Sequence, residues 1–303
     1  MNKIKVAILG SNSHISRGLI NSFLKKKNKY ELCLFSTNYG KILKFLKDLG
    51  QSKEVKIFEN YDLFKDYEYD IIINCIGVGS LNKMKGDYFK YFTFPEYYDN
   101  LCIEYLQENK NSLYINFSSG DIHNFSNLNN IIEQDYYSLT QLYAEAKHRS
   151  FKNLNIIDLR IYSYFSRFAD LEDKYFLTLL VECIQENKVF STDENKFTRD
   201  YLHPDDLFNA VQICIDKKKL NTSFDLYSKK EIQKFDILNY LEKEYNLTIE
   251  IVKEINYNSA TGYKNKYFAN SKDLEILGYF PKYSSIDTIQ EEFKYFLKRQ
   301  EKL

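Results

Sequence analysis

Six short apolar runs recur through the first half of this 303-residue chain: Ile4 to Leu9, Leu32 to Phe35, Val55 to Phe58, Asp70 to Ile76, Leu113 to Phe117 and Asn155 to Leu159. Segments long enough for a helix separate them. Strands buried on both faces of a sheet read as nearly continuous apolar runs, and parallel strands need helical crossovers. The pattern therefore predicts an α/β fold, a Rossmann-type doubly wound parallel sheet with helices on both faces. Ligands of such a sheet lie beyond the carboxyl ends of its strands, near the switch in strand order. The ends to inspect are Gly10, Ser36, Gly77 and the pair Ser118 and Ser119.

The first run ends in GSNSHIS, Gly10 to Ser16. A dinucleotide-binding turn places three small residues here: one for the bend, one for close backbone approach to a pyrophosphate, one for helix packing. Gly10, Ser13 and Ser16 hold those offsets, so two glycines are replaced by serine. Ile15, Leu19, Ile20, Phe23 and Leu24 then repeat at helical spacing, so the turn opens a helix as the motif requires. After the second run, Ser36, Thr37 and Asn38 stand where a carboxylate would accept ribose hydroxyls. Its absence favours a 2'-phosphate held by these residues and Lys41, against the plainer reading of three polar loop residues.

FSSGDIHN, Phe117 to Asn124, follows the fifth run, and LYAEAK, Leu142 to Lys147, falls in the next expected helix. Tyr143 and Lys147 are four apart and share a helical face. An ammonium near a phenol favours its ionised form, and a serine hydroxyl donates to the same reacting oxygen. A tyrosine and lysine at this spacing are also an ordinary surface pair; the phosphate loop and Ser119 are what raise them to candidates.

With these residues in hand, the chain resembles the extended short-chain dehydrogenase/reductase family, in particular its NAD-dependent epimerase/dehydratase group acting on nucleotide sugars. The resemblance spans nearly the whole chain. It includes INCIG at Ile73 to Gly77, Leu159 with Arg160, TRDYLHPDDL at Thr198 to Leu207, and FDLYSKKEIQKFDIL in the C-terminal part. It implies catalytic Ser119, Tyr143 and Lys147. It implies a cofactor set of Gly10, Ser13, His14, Ile15, Ser36, Thr37, Asn38, Cys75, Ile76 and Gly77, with Tyr143 and Lys147. On the substrate side it implies Ser119, Gly120, Asp121 and Arg199, the last on the diphosphate of a nucleotide sugar. Departures are His123 and Asn124 for an aromatic-glycine pair, Tyr91 for an asparagine, and Phe165, Ser166 and Arg167 for tyrosine-glycine-proline.

The expected layout is a dinucleotide-binding domain over residues 1–160 carrying the catalytic residues. A mainly substrate-binding region over 161–303 sends segments near 207–216 back to it. The expected reaction is reduction of a nucleotide-linked 4-keto-6-deoxy sugar by NADPH, NADH being the alternative, with Tyr143 as proton donor. A 4-epimerase or dehydratase using bound NAD, and a non-catalytic nucleotide-sugar-binding relative, are the other readings. The resemblance also implies a homodimer through helices including the one that carries Tyr143.

Composition narrows the partners. Forty-two basic and 42 acidic residues leave no net charge to steer nucleic acid or an anionic membrane. No apolar run reaches the length of a membrane span. The stripe of Phe293, Phe296 and Leu297 in EEFKYFLKRQ reads as packing. Cys33, Cys75, Cys102, Cys183 and Cys214 lack metal spacing and read as reduced thiols of a cytoplasmic protein. His14, His123, His148 and His203 are not spaced as metal ligands.

Overall fold

The computed structural model describes residues 3–51, 55–77, 87–124, 131–217, 219–253 and 264–298. Arg299 and Gln300, the last two residues of EEFKYFLKRQ, lie outside these residues.

Seven parallel strands form the central sheet: β1 (Ile4–Leu9), β2 (Tyr30–Phe35), β3 (Val55–Phe58), β4 (Ile71–Asn74), β5 (Leu113–Ser119), β6 (Asn155–Ile161) and β11 (Asn221–Asp225). Their spatial order is β3-β2-β1-β4-β5-β6-β11, so the chain winds outward from β1 in one direction and from β4 in the other. The switch point is the β1/β4 boundary. The strand runs expected from sequence coincide with β1 to β6 within a few residues. Tyr30 pairs with Ile4 and lengthens β2, whereas the Asp70 run is trimmed to Ile71–Asn74, where the ladder to β1 holds.

Side chains of β1 alternate between two buried layers. Val6 and Ile8 pack with Leu19, Ile20 and Phe23 of α1 (His14–Leu24), Phe45 of α2 (Tyr39–Asp48) and Leu207 and Val211 of α6 (Pro204–Asp216). Ala7 and Leu9 pack with Cys102, Ile103 and Leu106 of α3 (Phe89–Glu108). Helix α4 (Tyr136–Ser150) connects β5 to β6.

A third apolar cluster joins α5 (Phe176–Glu186), α7 (Lys234–Tyr245) and α8 (Ser285–Lys298) through Leu180, Val181, Ile237, Leu241, Ile289 and Phe293. Around it run the short strands β7 (Ser163–Tyr164), β8 (Phe190–Thr192), β9 (Thr198–Arg199), β10 (Tyr201–Leu202), β12 (Ile232–Gln233), β13 (Ile249–Ile251) and β14 (Lys266–Tyr267). Strand β9 is flanked by β12 and β14. The C-terminal half also supplies α6 and β11 to the large sheet layer. Among the described residues no helix is long and apolar enough to cross a membrane.

Candidate functional site

The turn after β1 keeps a glycine bend and a capped helix start despite its serines. Gly10 takes φ +71, and a Cβ there would meet Ile76 Cγ1 at 2.9 Å and the Cys75 backbone at 3.0 Å. Only glycine sits in that position without strain. Ser13 caps α1 by accepting from Ser16 N at 3.2 Å. The hydroxyl of buried Ser16 lies 3.0 Å from Gly10 O and 2.8 Å from Ser13 O, so the third small position is filled by a folded-in serine. A closer approach falls two residues on: a Cβ at Gly18 would lie 2.0 Å from Tyr164 Oη. The N–H groups of His14 and Ile15 open the helix, where backbone donors lack intrahelical acceptors and favour phosphate oxygens. His14 itself is held by Ser166, whose N–H donates to Nε2 at 3.1 Å; burial lowers its pKa to about 4 and keeps it neutral.

The rest of the expected cofactor set lines the same edge. Cys75, Ile76 and Gly77 follow β4 directly across the switch point, with Ile76 N donating to Asn74 Oδ1 at 2.9 Å. Ser36 is buried at the end of β2 and accepts from Asn12 Nδ2 and, at 3.1 Å, from Asn38 N. Asn38 caps α2 through Lys41 N, and Thr37 is exposed. Lys41 reaches instead to Asp170, at 3.2 Å. The cradle fits a dinucleotide pyrophosphate by its glycine and its helix terminus; the β2 turn itself holds hydroxyl and amide groups, and the Glu59 carboxylate stands beside it, accepting from Tyr39 N at 3.3 Å.

Ser119, Tyr143 and Lys147, expected as one catalytic group, are not assembled. Ser119 is buried at the end of β5. Tyr143 is 53% exposed, and its hydroxyl donates to Glu96 of α3 at 2.9 Å. Lys147 turns to the same side, with Nζ 2.8 Å from Asn100 Oδ1 and 2.6 Å from Asp99 Oδ2. The reason is the rotation of α4. Glu145 is buried against β5 and β6, accepting from Ser118 Oγ at 2.6 Å and from both Nε and Nη2 of Arg160 at 2.9 and 2.7 Å. With Glu145 inward, the positions four and eight residues earlier, Gln141 and Tyr137, share its face. Tyr143 and Lys147 face α3.

Tyr137 is thus the phenol beside Ser119. Burial pushes its pKa up to about 12, Asp121 reinforces this, and interaction with the Ser119 hydroxyl pulls the other way. A second phenol closes in from β14: Tyr267 Oη lies 2.9 Å from Ser119 Oγ. Asp121 N donates to Ser119 Oγ at 3.2 Å, and the Asp121 carboxylate is ion-paired with Lys264. Gly120 has no room for a side chain, because a Cβ there would lie 2.3 Å from the Tyr162 ring. Arg199 sits on β9 beside this group, donating from Nη1 to the carbonyls of Thr198 and Lys264 at 3.1 and 2.7 Å. Its guanidinium lies 4.5 Å from the Phe197 ring centre and 5.9 Å from that of Tyr267. His123, at the rim, approaches Asp225 at 3.3 Å.

Sequence reasoning missed Tyr137 and Tyr267. For Tyr137 a signal existed: an acidic residue eight positions on, flanked in the chain by the Leu159–Arg160 strand able to pair it. Nothing local marks Tyr267.

One further group, His203 with Glu291 and Glu292, has ligand atoms close enough for a metal. His203 Nδ1 accepts from Asp205 N, which leaves the proton on Nε2, and Arg167 donates to Glu292 from N and Nε at 2.5 and 2.9 Å. A protonated nitrogen and a guanidinium suit an ion-paired latch for α8 better than a cation site.

Neither a protein-family model nor a curated protein sequence matches the chain. Solved structures do. A UDP-N-acetylglucosamine 4-epimerase from Methanobrevibacter ruminantium M1, in complex with UDP-N-acetylmuramic acid, superposes with a TM-score of 0.82 at 13% identity, over 99% of this chain and 100% of that one. A UDP-glucuronic acid 4-epimerase from Bacillus cereus, with UDP-glucuronic acid and NAD, gives 0.79 at 18% identity over 98% and 100%. A dTDP-glucose 4,6-dehydratase from Bacillus anthracis, in complex with NAD, gives 0.78 at 14% identity over 98% of both. End to end, the chain has the Rossmann-like fold of nucleotide-sugar epimerases and dehydratases.

Proposed function

We propose that this protein is a dinucleotide-dependent oxidoreductase that reduces a nucleotide-linked 4-keto-6-deoxy sugar, with Tyr137 rather than Tyr143 as proton donor. The observation that carries the reading is the phenol of Tyr137 at Ser119 with Gln141, not lysine, one helical turn on. Without an ammonium at that turn, and with burial holding the proton on, Tyr137 is a poor base for a sugar hydroxyl. It is well suited to protonate a nascent alkoxide.

When bound, the reduced dinucleotide supplies the hydride. The chain does the rest. The Gly10 turn and the start of α1 hold the pyrophosphate, Ser119 orients Tyr137, and Arg199 provides a cation on the side of the sugar diphosphate. The β2 turn has no carboxylate of its own, which supports NADPH, whose 2'-phosphate would draw Lys41 from Asp170 and lie near Glu59. A dehydratase needs a further acid and base beside Ser119, but Gly120 has no side chain and Asp121 is paired with Lys264. The exposed aromatic face of α3 and α4, with Phe89, Tyr97 and Tyr143, supports association of two copies.

The test is a panel of CDP-, GDP-, UDP- and dTDP-linked keto and hydroxy sugars, followed at the nicotinamide absorbance band and by mass. Stoichiometric oxidation of NADPH with a 4-keto-6-deoxy sugar is expected. Interconversion of hydroxy sugars with no net oxidation would transfer the reading to an epimerase, and loss of water to a dehydratase.

A further inference from the structure

We infer that Tyr267 sets the direction of hydrogen bonding through Ser119, so that Tyr137 presents its own proton outward to a substrate oxygen. The inference rests on the reading of Tyr137 as proton donor and adds a positioning residue to it. A serine hydroxyl has one proton and two acceptor sites. At Ser119 one acceptor site is taken by Asp121 N–H, at 3.2 Å. Two phenols compete for what remains: Tyr267, at 2.9 Å, and Tyr137.

Two arrangements satisfy the serine. In one, Tyr267 donates to Ser119, Ser119 donates to the Tyr137 oxygen, and the Tyr137 proton is released to point elsewhere. In the other, Tyr137 donates inward, Ser119 donates to Tyr267, and the Tyr267 proton must find another acceptor. Among the described residues the Tyr267 hydroxyl has Ser119 as its hydrogen-bond partner. Its ring is buried, tied into the ladder with Arg199 and packed on Tyr162 at 5.2 Å, so it does not turn away. Lys264 lies 4.5 Å from the ring centre and Arg199 5.9 Å, and nearby cations draw electron density from a phenol and make its hydroxyl a stronger donor. Burial and Asp121 nonetheless keep Tyr267 protonated, hence a donor.

Among the described residues, the groups acting on Tyr137 from other elements are Asp121, itself paired with Lys264, Tyr91 of α3 and Tyr175 at the start of α5, with no cation acting on the phenol directly. The donor chain Tyr267 to Ser119 to Tyr137 is therefore the main influence favouring loss of the Tyr137 proton, and hydrogen-bond chains strengthen one another.

The experiment reads ionisation of Tyr137 directly and needs no substrate. Fluorotyrosine is incorporated throughout, bringing phenol ionisation into a workable pH range, and the Tyr137 fluorine resonance is assigned by its loss in Tyr137→Phe. Tyr267→Phe should raise the Tyr137 midpoint by roughly half to one pH unit, the worth of one hydrogen bond. Ser119→Ala should raise it at least as much, and adding Tyr267→Phe to that background should change nothing more. Phenylalanine keeps the ring packed on Tyr162, and thermal unfolding verifies the fold. An unchanged or lowered midpoint, or an additive effect in the Ser119→Ala background, would overturn the inference. Turnover that survives Tyr137→Phe would instead remove the reading of Tyr137 as donor and leave the titration result standing.

Discussion

Replacing His148 should expose the most pH-sensitive part of the fold. Its imidazole is fully buried between two buried carboxylates, with Nδ1 2.9 Å from Asp158 Oδ1 and Nε2 2.7 Å from Asp99 Oδ1. Tyr114 donates to Asp99 at 2.7 Å and Asn116 to Asp158 at 2.7 Å, so the network ties α4 to α3, β5 and β6. Burial alone would strip the imidazole of its charge. Hydrogen bonds and charges from Asp158 and Asp99 more than reverse this, raising its pKa from 6.5 to about 9. A pKa raised in the folded state stabilises the fold fully below 6.5 and ceases to do so as pH rises through about 9. That shift corresponds to stability on the order of 3 kcal/mol. Urea unfolding from about pH 6 to about pH 10 should show wild-type stability falling by roughly this amount. His148→Leu should lose about 3–5 kcal/mol at neutral pH, because two carboxylates stay buried with Lys147 and Arg149 as their remaining cations, and should show a flatter profile. Parallel curves for wild type and variant across that range would refute the reasoning, since the imidazolium would then not be the titrating group.

Tyr137→Phe should lower turnover by roughly 10²- to 10⁴-fold with dinucleotide affinity little changed, whereas Tyr143→Phe should leave turnover within about twofold; steady-state kinetics and cofactor fluorescence separate the two. Gly120→Ala should destabilise by about 1–3 kcal/mol in thermal unfolding, because the Tyr162 ring it meets is held by a 2.9 Å hydrogen bond to Asp225 and cannot retreat freely. Light scattering should show a dimer that Tyr97→Glu in α3 reduces to a monomer; a charged variant that stays dimeric would place the contact elsewhere.

The sheet was legible because its strands are buried on both faces. Val6 to Leu9 and Ile71 to Ile73 can be continuously apolar only where helices cover both sides, and that demand is written locally in the chain. The turn at Gly10 was legible for the same kind of reason: a bend between strand and helix needs its small residue at a fixed offset. The phenol was not. Tyrosines crowd α4 and the segments around it, and a four-residue spacing to lysine says only that two side chains share a face, not which face meets the sheet. Six residues separate Tyr137 from Tyr143, about one and two-thirds turns, so one points to Ser119 when the other points to α3. That rotation is decided by Glu145 seeking Arg160 across the β6 strand, a contact between elements. Tyr267 lies still further from local reach. It arrives 148 residues after Ser119 in the chain, through a two-residue ladder on β9, and only packing of the C-terminal half against the sheet edge brings the two hydroxyls within 2.9 Å. Local sequence determined which segments become strands and helices, because burial and backbone geometry act residue by residue. The meeting of hydroxyls at Ser119 was decided by tertiary structure, because it depends on how whole elements turn and dock against one another.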